Sequence, residues 1–237
     1  MEIEEKMRVG IYDPYLGAVL GGGERYVLTL AECLRASGHQ VDIFWEEDKL
    51  LGLIKEKLGI DLAEINFVGD IFKLDLFERW RITRRYDVIF FLSDGSLPWL
   101  FAKKNFIHMQ VPLIGVRNKS LVSSLKKRLI KNFICNSEFT KKVIDKVYGV
   151  KSLVLYPPVS TEDFSNKAIK KNIILGVGRF TQSLHAKKQD VLVRNFKLFI
   201  DCGLKNWRLF LVGGALPEDQ SFLEGLKKLA EGYPITI

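Results

Sequence analysis

Cysteine and histidine are scarce in this sequence, three of each in 237 residues. Cys33, Cys135 and Cys202 stand far apart and are odd in number, so no disulfide framework is expected, and no spacing suggests a zinc site. Free thiols fit a reducing cytosol. Long apolar runs are also missing: none reaches the roughly 20 residues that cross a bilayer, so any membrane contact has to be peripheral. The opening residues, MEIEEKM, are acidic and lack the apolar core of a signal peptide. Short-period repeats and low-complexity tracts are absent too.

What is present is the composition of an ordinary globular protein. Hydrophobic residues make up 47% and charged residues 27%, within the usual range, and the length suits one large or two modest domains. Lys+Arg 36 against Asp+Glu 28 leaves a net charge of +8. A basic surface suits nucleotide phosphates, nucleic acid or anionic lipid without choosing among them. No basic motif interleaved with aromatics is present, so nucleic acid is not expected as a partner.

The stretch from Asn172 to Asp190 concentrates the chemistry. Ile173-Ile174-Leu175-Gly176-Val177 reads as a buried parallel strand. Gly178-Arg179-Phe180 follows, then a polar loop with Ser183, His185, Lys187 and Lys188. From about Lys188 the residues Val191, Leu192, Phe196 and Phe199 recur at helical spacing. Cations between a strand's carboxyl end and a helix N-terminus suit a phosphate or diphosphate. The competing reading is a solvated loop with surface lysines.

The N-terminal part opens as a βαβ unit, with a strand over 7–12, a helix ending near Gly38 and a strand over 41–45. Between the first two lies Gly21-Gly22-Gly23-Glu24-Arg25. Glycines let a backbone approach a ligand closely, but these are contiguous and sit about ten residues after the strand, unlike the dinucleotide fingerprint. A flexible loop that starts a helix is the alternative. Helices are expected over 48–58 and 77–85, and a strand within 62–68. Tyr86 to Leu92 is a strong strand signal, followed by Ser93-Asp94-Gly95-Ser96, in which Asp94 reads as a turn residue. Asn105 to Met109 is another strand, with His108 near its end as a sugar contact, an acid/base group or a satisfied structural histidine. Ser120 to Phe133 forms a basic amphipathic helix, either core-facing or lying on an anionic membrane. A strand over 133–136 leads into a helix that Ser137 would cap, and a strand over 151–155 precedes Tyr156-Pro157-Pro158-Val159. The polar residues 160–171 read as a linker. The expected division is 1–165 and 166–237. The second part has strands over 207–212, ending at Gly213-Gly214, and 234–237, with a helix over 218–231.

These motifs together resemble the retaining nucleotide-sugar glycosyltransferases of family 4, which have the two-domain GT-B architecture. Gly21-Gly22-Gly23-Glu24-Arg25 resembles that family's glycine loop, and Cys33 to Val41 the segment after it. His108-Met109-Gln110-Val111-Pro112 resembles an H-x-x-P setting with one extra residue. Asn136-Ser137-Glu138-Phe139-Thr140 and Tyr156-Pro157-Pro158-Val159 resemble the two motifs before the interdomain linker. Val177-Gly178-Arg179-Phe180 with Lys187 resembles the start of the donor-binding domain.

The resemblance implies an α/β, GT-B-like fold: a complete Rossmann-like N-domain on the acceptor side, then an incomplete, truncated Rossmann-like nucleotide-sugar domain. It implies transfer of a sugar from a nucleoside-diphosphate sugar to a glycan or lipid-linked acceptor with retention, and no metal or other cofactor. Arg179, Lys187 and Gly178 would hold the diphosphate, and Lys188 occupies a position where the family has glycine. Gly21, Gly22, Gly23 and Glu24 would bring the N-domain backbone to the diphosphate or acceptor, and His108 would contact the transferred sugar. Asn136, Ser137, Glu138, Gly213 and Gly214 would line the cleft. The implied location is the cytoplasm, with an anionic membrane contact through 120–133 on its inner face as an option. The family's glutamate pair lies beyond the segment that the chain matches. The alternative is a non-catalytic remnant or partner subunit that binds an acceptor or another protein.

Overall fold

The computed structural model describes residues 5–16, 20–46, 50–116, 120–159, 161, 169–182 and 186–237. The chain divides into two compact units, residues 1–160 and 161–237. The expected boundary at 165/166 falls among residues outside the described set.

The first unit runs β1 (Arg8–Tyr12), α1 (Gly22–Ala36), β2 (Gln40–Ile43), α2 (Leu50–Leu58), β3 (Asn66–Phe67), α3 (Leu76–Thr83), β4 (Val88–Leu92), β5 (Lys104–Met109), α4 (Leu121–Arg128), β6 (Asn132–Cys135), α5 (Glu138–Tyr148) and β7 (Leu153–Val154). The strands form one sheet in the order β3-β2-β1-β4-β5-β6-β7, parallel throughout. The chain moves outward from β1 to β3, then returns to place β4 on the other side of β1. The strand order therefore reverses between β1 and β4, and such switch points open a crevice at the strands' carboxyl ends.

Strand β4, Val-Ile-Phe-Phe-Leu, shows why the sheet forms. Successive side chains point to opposite faces. Phe90 and Leu92 join a core with Val9, Ile11, Leu28 and Ala31. Ile89 and Phe91 join a second core with Ile107, Phe133, Ile144 and Tyr148. A strand buried on both faces needs a continuous apolar run, and this one has it.

One buried polar cluster joins the amino-terminal ends of the central strands. Asp42 is fully buried. Its carboxylate accepts from Arg8 Nε (3.0 Å) and Nη2 (2.7 Å), Tyr86 Oη (2.8 Å) and Asn66 Nδ2 (3.0 Å). The Arg8 guanidinium also lies 4.5 Å from the Tyr86 ring centre.

Helix α4 departs from expectation. It covers Leu121–Arg128 rather than reaching residue 133, because Asn105 Nδ2 donates to Leu129 O (2.9 Å) and Lys131 N to Asn105 O (2.7 Å), which turns the chain into β6. None of its residues is buried, and Leu121 is 86% exposed. The core-facing alternative is thereby corrected: the helix shows its apolar residues to solvent.

The second unit runs β8 (Ile173–Val177), α6 (Gln189–Asp201), β9 (Arg208–Val212), α7 (Gln220–Ala230) and β10 (Ile235–Thr236). Its parallel sheet has the order β10-β9-β8. A 3₁₀ turn over Pro217–Asp219 delays α7 by two residues relative to the sequence expectation. Val193, Phe196, Leu209, Leu211 and Leu226 form the core between helices and sheet. The strand expected to be buried over 173–177 is corrected to one covered on a single face: its alternate residues Ile173, Leu175 and Val177 are exposed, as is Val212 on β9.

Removing a buried charge partner leaves the others unpaired, which costs roughly 3–5 kcal/mol. Asp42→Ala is therefore expected to lower the urea midpoint of the first unit's transition sharply. Tyr86→Phe, which deletes the hydroxyl's bond to Asp42 and the longer one it accepts from Arg8 Nη2 (3.4 Å) but leaves the ion pair, should cost less, about 1–2 kcal/mol. Both are read from denaturation curves.

Candidate functional site

In the first unit, the loops after β1, β5 and β6 meet at one edge of the sheet. Gly21 precedes α1 with an extended backbone and donates its N–H to the Glu24 carboxylate at 2.8 Å. Gly23 is in close contact with Gln110: a Cβ there would lie 2.6 Å from Gln110 Oε1, and Gln110 Nε2 donates to the Gly23 carbonyl at 3.3 Å. The Gln110 carbonyl accepts from Asn136 Nδ2 at 2.7 Å. Ser137 Oγ donates to Asn136 Oδ1 (3.3 Å) and caps α5 by accepting from Thr140 N (3.2 Å). The structure thus joins the glycine loop to Asn136 and Ser137 through Gln110. Sequence reasoning missed that residue because a lone glutamine carries no chemical signature. Glu138 is exposed in the first turn of α5.

His108 is placed differently from a histidine at a strand mouth. Strand alternation turns its ring inward under α1, where it is fully buried. The ring stacks on Tyr26, with centroids 4.3 Å apart and planes at 14°, and lies 5.3 Å from the Phe90 ring. Neither ring nitrogen has a hydrogen-bond partner of good geometry. Burial drives its pKa down to about 4, against a weaker upward pull from the Ile134 main chain. A neutral imidazole packed between aromatics holds α1 in place, and in this conformation its ring is covered by protein. Tyr26 in turn donates its hydroxyl to Leu155 O at 3.0 Å.

Asp13, also missed, follows β1 directly. Its carboxyl is 1% exposed. Oδ1 accepts from Tyr15 N at 2.8 Å, while Oδ2 has no partner among the described residues. Burial pushes its pKa up to about 7, opposed by the Tyr15 N–H and reinforced by the charge of Glu24. Buried orphan oxygens are rare, and this one stands beside the glycine loop's Glu24.

The second unit gathers its own cluster at the carboxyl ends of β8 and β9. Gly178 has φ +157°, and its place beside Lys187 is tight, with a Cβ there only 2.8 Å from Lys187 Cγ. Across from it, a Cβ on Gly213 would lie 2.1 Å from the Gly178 carbonyl oxygen, so only glycine permits this approach. Gly178 N donates to Val212 O and Phe180 N to Gly214 O, both at 2.9 Å. Gln189, nearly fully buried, donates Nε2 to Arg179 O (2.7 Å) and Gly178 O (3.3 Å) and so fixes the loop. Lys188 precedes α6 in a left-handed conformation (φ +55°) and its side chain does not cap the helix, which gives a physical reason for glycine at this position in the family pattern. The side chains of Arg179 and Lys187 are exposed and form no ion pair among the described residues. Free cations, bare backbone and an uncapped helix N-terminus together can hold an anion. Ser183 and His185, expected in the same loop, lie outside the described residues. No group of three or more His, Cys, Asp or Glu that could hold a metal occurs among the described residues.

Two measurements check this geometry. Gly213→Ala forces a Cβ into the Gly178 carbonyl and should destabilise the second unit by about 1–3 kcal/mol. Gly214→Ala meets nothing within 4 Å and should be tolerated in the same denaturation assay. For the first unit, the two buried titrations oppose each other. The folded-state pKa of Asp13 lies above its unfolded value, so the stability it contributes is full below pH 4 and is lost as pH rises toward 7. The folded-state pKa of His108 lies below its unfolded value, so its contribution is full above pH 6.5 and is lost as pH falls toward 4. Relative to wild type, Asp13→Asn should gain stability between pH 4 and 7, and His108→Gln should lose its relative deficit as pH falls from 6.5 to 4.

The fold has relatives among solved structures. A glycosyltransferase from Rickettsia africae aligns over 98% of this chain and 68% of its own, with TM-score 0.63 and 19% identity. Anabaena Alr3699/HepE, solved with UDP and glucose, aligns over 97% and 68%, with TM-score 0.62 and 16% identity. An alpha-glucosyltransferase solved with UDP aligns over 98% and 68%, with TM-score 0.56 and 14% identity. These likenesses establish the GT-B fold. A sequence search of curated proteins finds no match. The model of Glycosyltransferase Family 4 matches residues 20–163, more than half of the chain, from the glycine loop through His108 to the Asn136-Ser137-Glu138 junction, and the chain belongs to that family.

Proposed function

We propose that the chain acts in hexosyl transfer from a nucleoside-diphosphate sugar to a glycan or lipid-linked acceptor, with retention of configuration. The observation that carries this reading is the pair of cations, Arg179 and Lys187, which form no ion pair among the described residues and flank the close Gly178–Gly213 backbone. As the glycosyl bond breaks, negative charge collects on the departing diphosphate. Fixed cations and free helix N–H groups favour that charge more than the ground state, which lowers the barrier. The reading assigns this task to side chains and needs no metal. The glycine loop serves the acceptor side, and buried His108 positions α1 beneath it. UDP in the Anabaena structure supports a nucleotide-sugar donor by likeness of fold.

The reading places the protein in the cytoplasm, at the inner face of an anionic membrane. Helix α4 supports that contact, since exposed Leu121, Val122 and Leu125 stand beside Lys126, Lys127 and Arg128. Apolar insertion and attraction to anionic lipid act together in such helices. No helix among the described residues is long and apolar enough to cross a membrane. The exposed Ile173, Leu175 and Val177 on β8 favour a second reading, a non-catalytic subunit that binds a partner protein through this face.

Calorimetric titration of the full chain with UDP, GDP and ADP tests the donor site. At least one diphosphate should bind, and Arg179→Ala and Lys187→Ala should each weaken it at least tenfold without altering the circular dichroism spectrum. Binding that ignores both substitutions, or no binding at all, returns the argument to the partner-subunit reading.

A further inference from the structure

The first unit holds a cavity of about 430 Å³ lined by Asp94, Ser96, Leu97, Val116, Ser123 and Lys126. It opens where β4 ends, on the β4 side of the strand-order reversal, which is where open parallel sheets take ligands. Its size falls in the range of small-molecule sites. The wall is built rather than loose. Ser93 Oγ donates to Ser96 O (2.7 Å) and accepts from Gly95 N (2.9 Å), Ser96 N donates to Asp94 Oδ1 (3.0 Å), and Tyr148 Oη donates to Gly95 O (2.6 Å).

Asp94 is thus the turn residue that the sequence suggests, and its second oxygen has no hydrogen-bond partner among the described residues. Lys126 reaches the same cavity from α4, with Nζ 5.6 Å from the Trp99 ring centre. Neither side chain belongs to an ion pair among the described residues, with each other or with anything else. Opposite charges on one cavity, with no ion-pair partner among the described residues, suit a ligand that carries both hydroxyl donors and an anionic group. A carboxylate accepts from sugar hydroxyls, and an ammonium meets a phosphate as a point charge. Half-exposed Tyr15 lies within electrostatic reach of Asp94.

We propose that this cavity is the acceptor subsite for a phosphorylated saccharide, with Asp94 and Ser96 taking sugar hydroxyls and Lys126 taking the phosphate. The assignment rests on the transferase reading above and names the acceptor's chemistry. The phosphate comes either from a free sugar phosphate or from a sugar linked through phosphate to a lipid. The exposed apolar residues of α4 adjoin the cavity and would receive the lipid.

The test is calorimetry on the full chain, with Trp99 fluorescence as a second readout and Trp99→Phe to attribute the signal. The probes are the 1-phosphates of glucose, galactose, mannose and N-acetylglucosamine, their decyl phosphodiesters, the parent sugars and inorganic phosphate. At least one phosphorylated sugar should bind ten times more tightly than its parent sugar and than inorganic phosphate. Lys126→Ala should weaken that probe at least tenfold. Asp94→Asn, which keeps the turn's acceptor oxygen, should weaken it at least threefold while leaving inorganic phosphate unchanged. A decyl ester that binds at least tenfold more tightly than its free sugar phosphate identifies the lipid-linked source, and equal binding identifies the free one. Absence of binding by every probe, or binding indifferent to both substitutions, overturns the proposal. UDP titrated into the same samples separates the two claims: its loss in the wild type indicts the transferase reading, and its retention with a silent cavity indicts the subsite alone.

Discussion

A parallel sheet buried on both faces constrains everything else in the first unit. Each strand has to be followed by a crossover before the next can pair in the same direction. All loops that leave strands at their carboxyl ends therefore share one edge. That edge holds the glycine loop after β1, the Asp94 turn after β4, Gln110 after β5 and the Asn136–Ser137 junction after β6. Sheet order then decides what lies between what. Because β4 returns to the far side of β1, the edge splits there, and the cavity lined by Asp94 and Lys126 sits on the β4 side.

Polar groups inside the unit divide into two kinds. Asp42 is saturated by Arg8, Tyr86 and Asn66, at the end of the sheet opposite the loops. Asp13 and His108, near the loop edge, are buried with orphan atoms. Saturated clusters secure a fold, whereas orphaned groups represent stability forgone and tend to collect near function. The second unit shows the same contrast. Gln189 ties down the Gly178–Arg179 carbonyls, while the two neighbouring cations form no ion pair among the described residues.

Much of the architecture was legible because a doubly buried strand has to be a continuous apolar run and a helix has to repeat at 3.6 residues. Tyr86 to Leu92 announced itself on those grounds; Ile173 to Val177 was legible as a strand but not as one with an exposed face, and the glycine loop, the Asn136 junction and Arg179 with Lys187 were legible through resemblance. Helix α4 was legible as amphipathic but not as exposed. Its orientation depends on the Asn105–Leu129 and Asn105–Lys131 bonds, which join residues far apart in sequence. Gln110 and Asp13 were silent because glutamine and aspartate occur everywhere, and only a neighbour in space gives them meaning.

The sequence by itself determined the alternation of strand and helix, the basic character, and the residue types at each strand's end. Those follow from local periodicity and from side-chain chemistry. The tertiary structure alone decided that His108 is buried against Tyr26, that Gly213 meets the Gly178 carbonyl, and that Asp94 and Lys126 share a cavity without pairing with each other. Such facts depend on which strand lies beside which and on which face a side chain takes, and a one-residue change of register would reverse them without altering the apolar pattern.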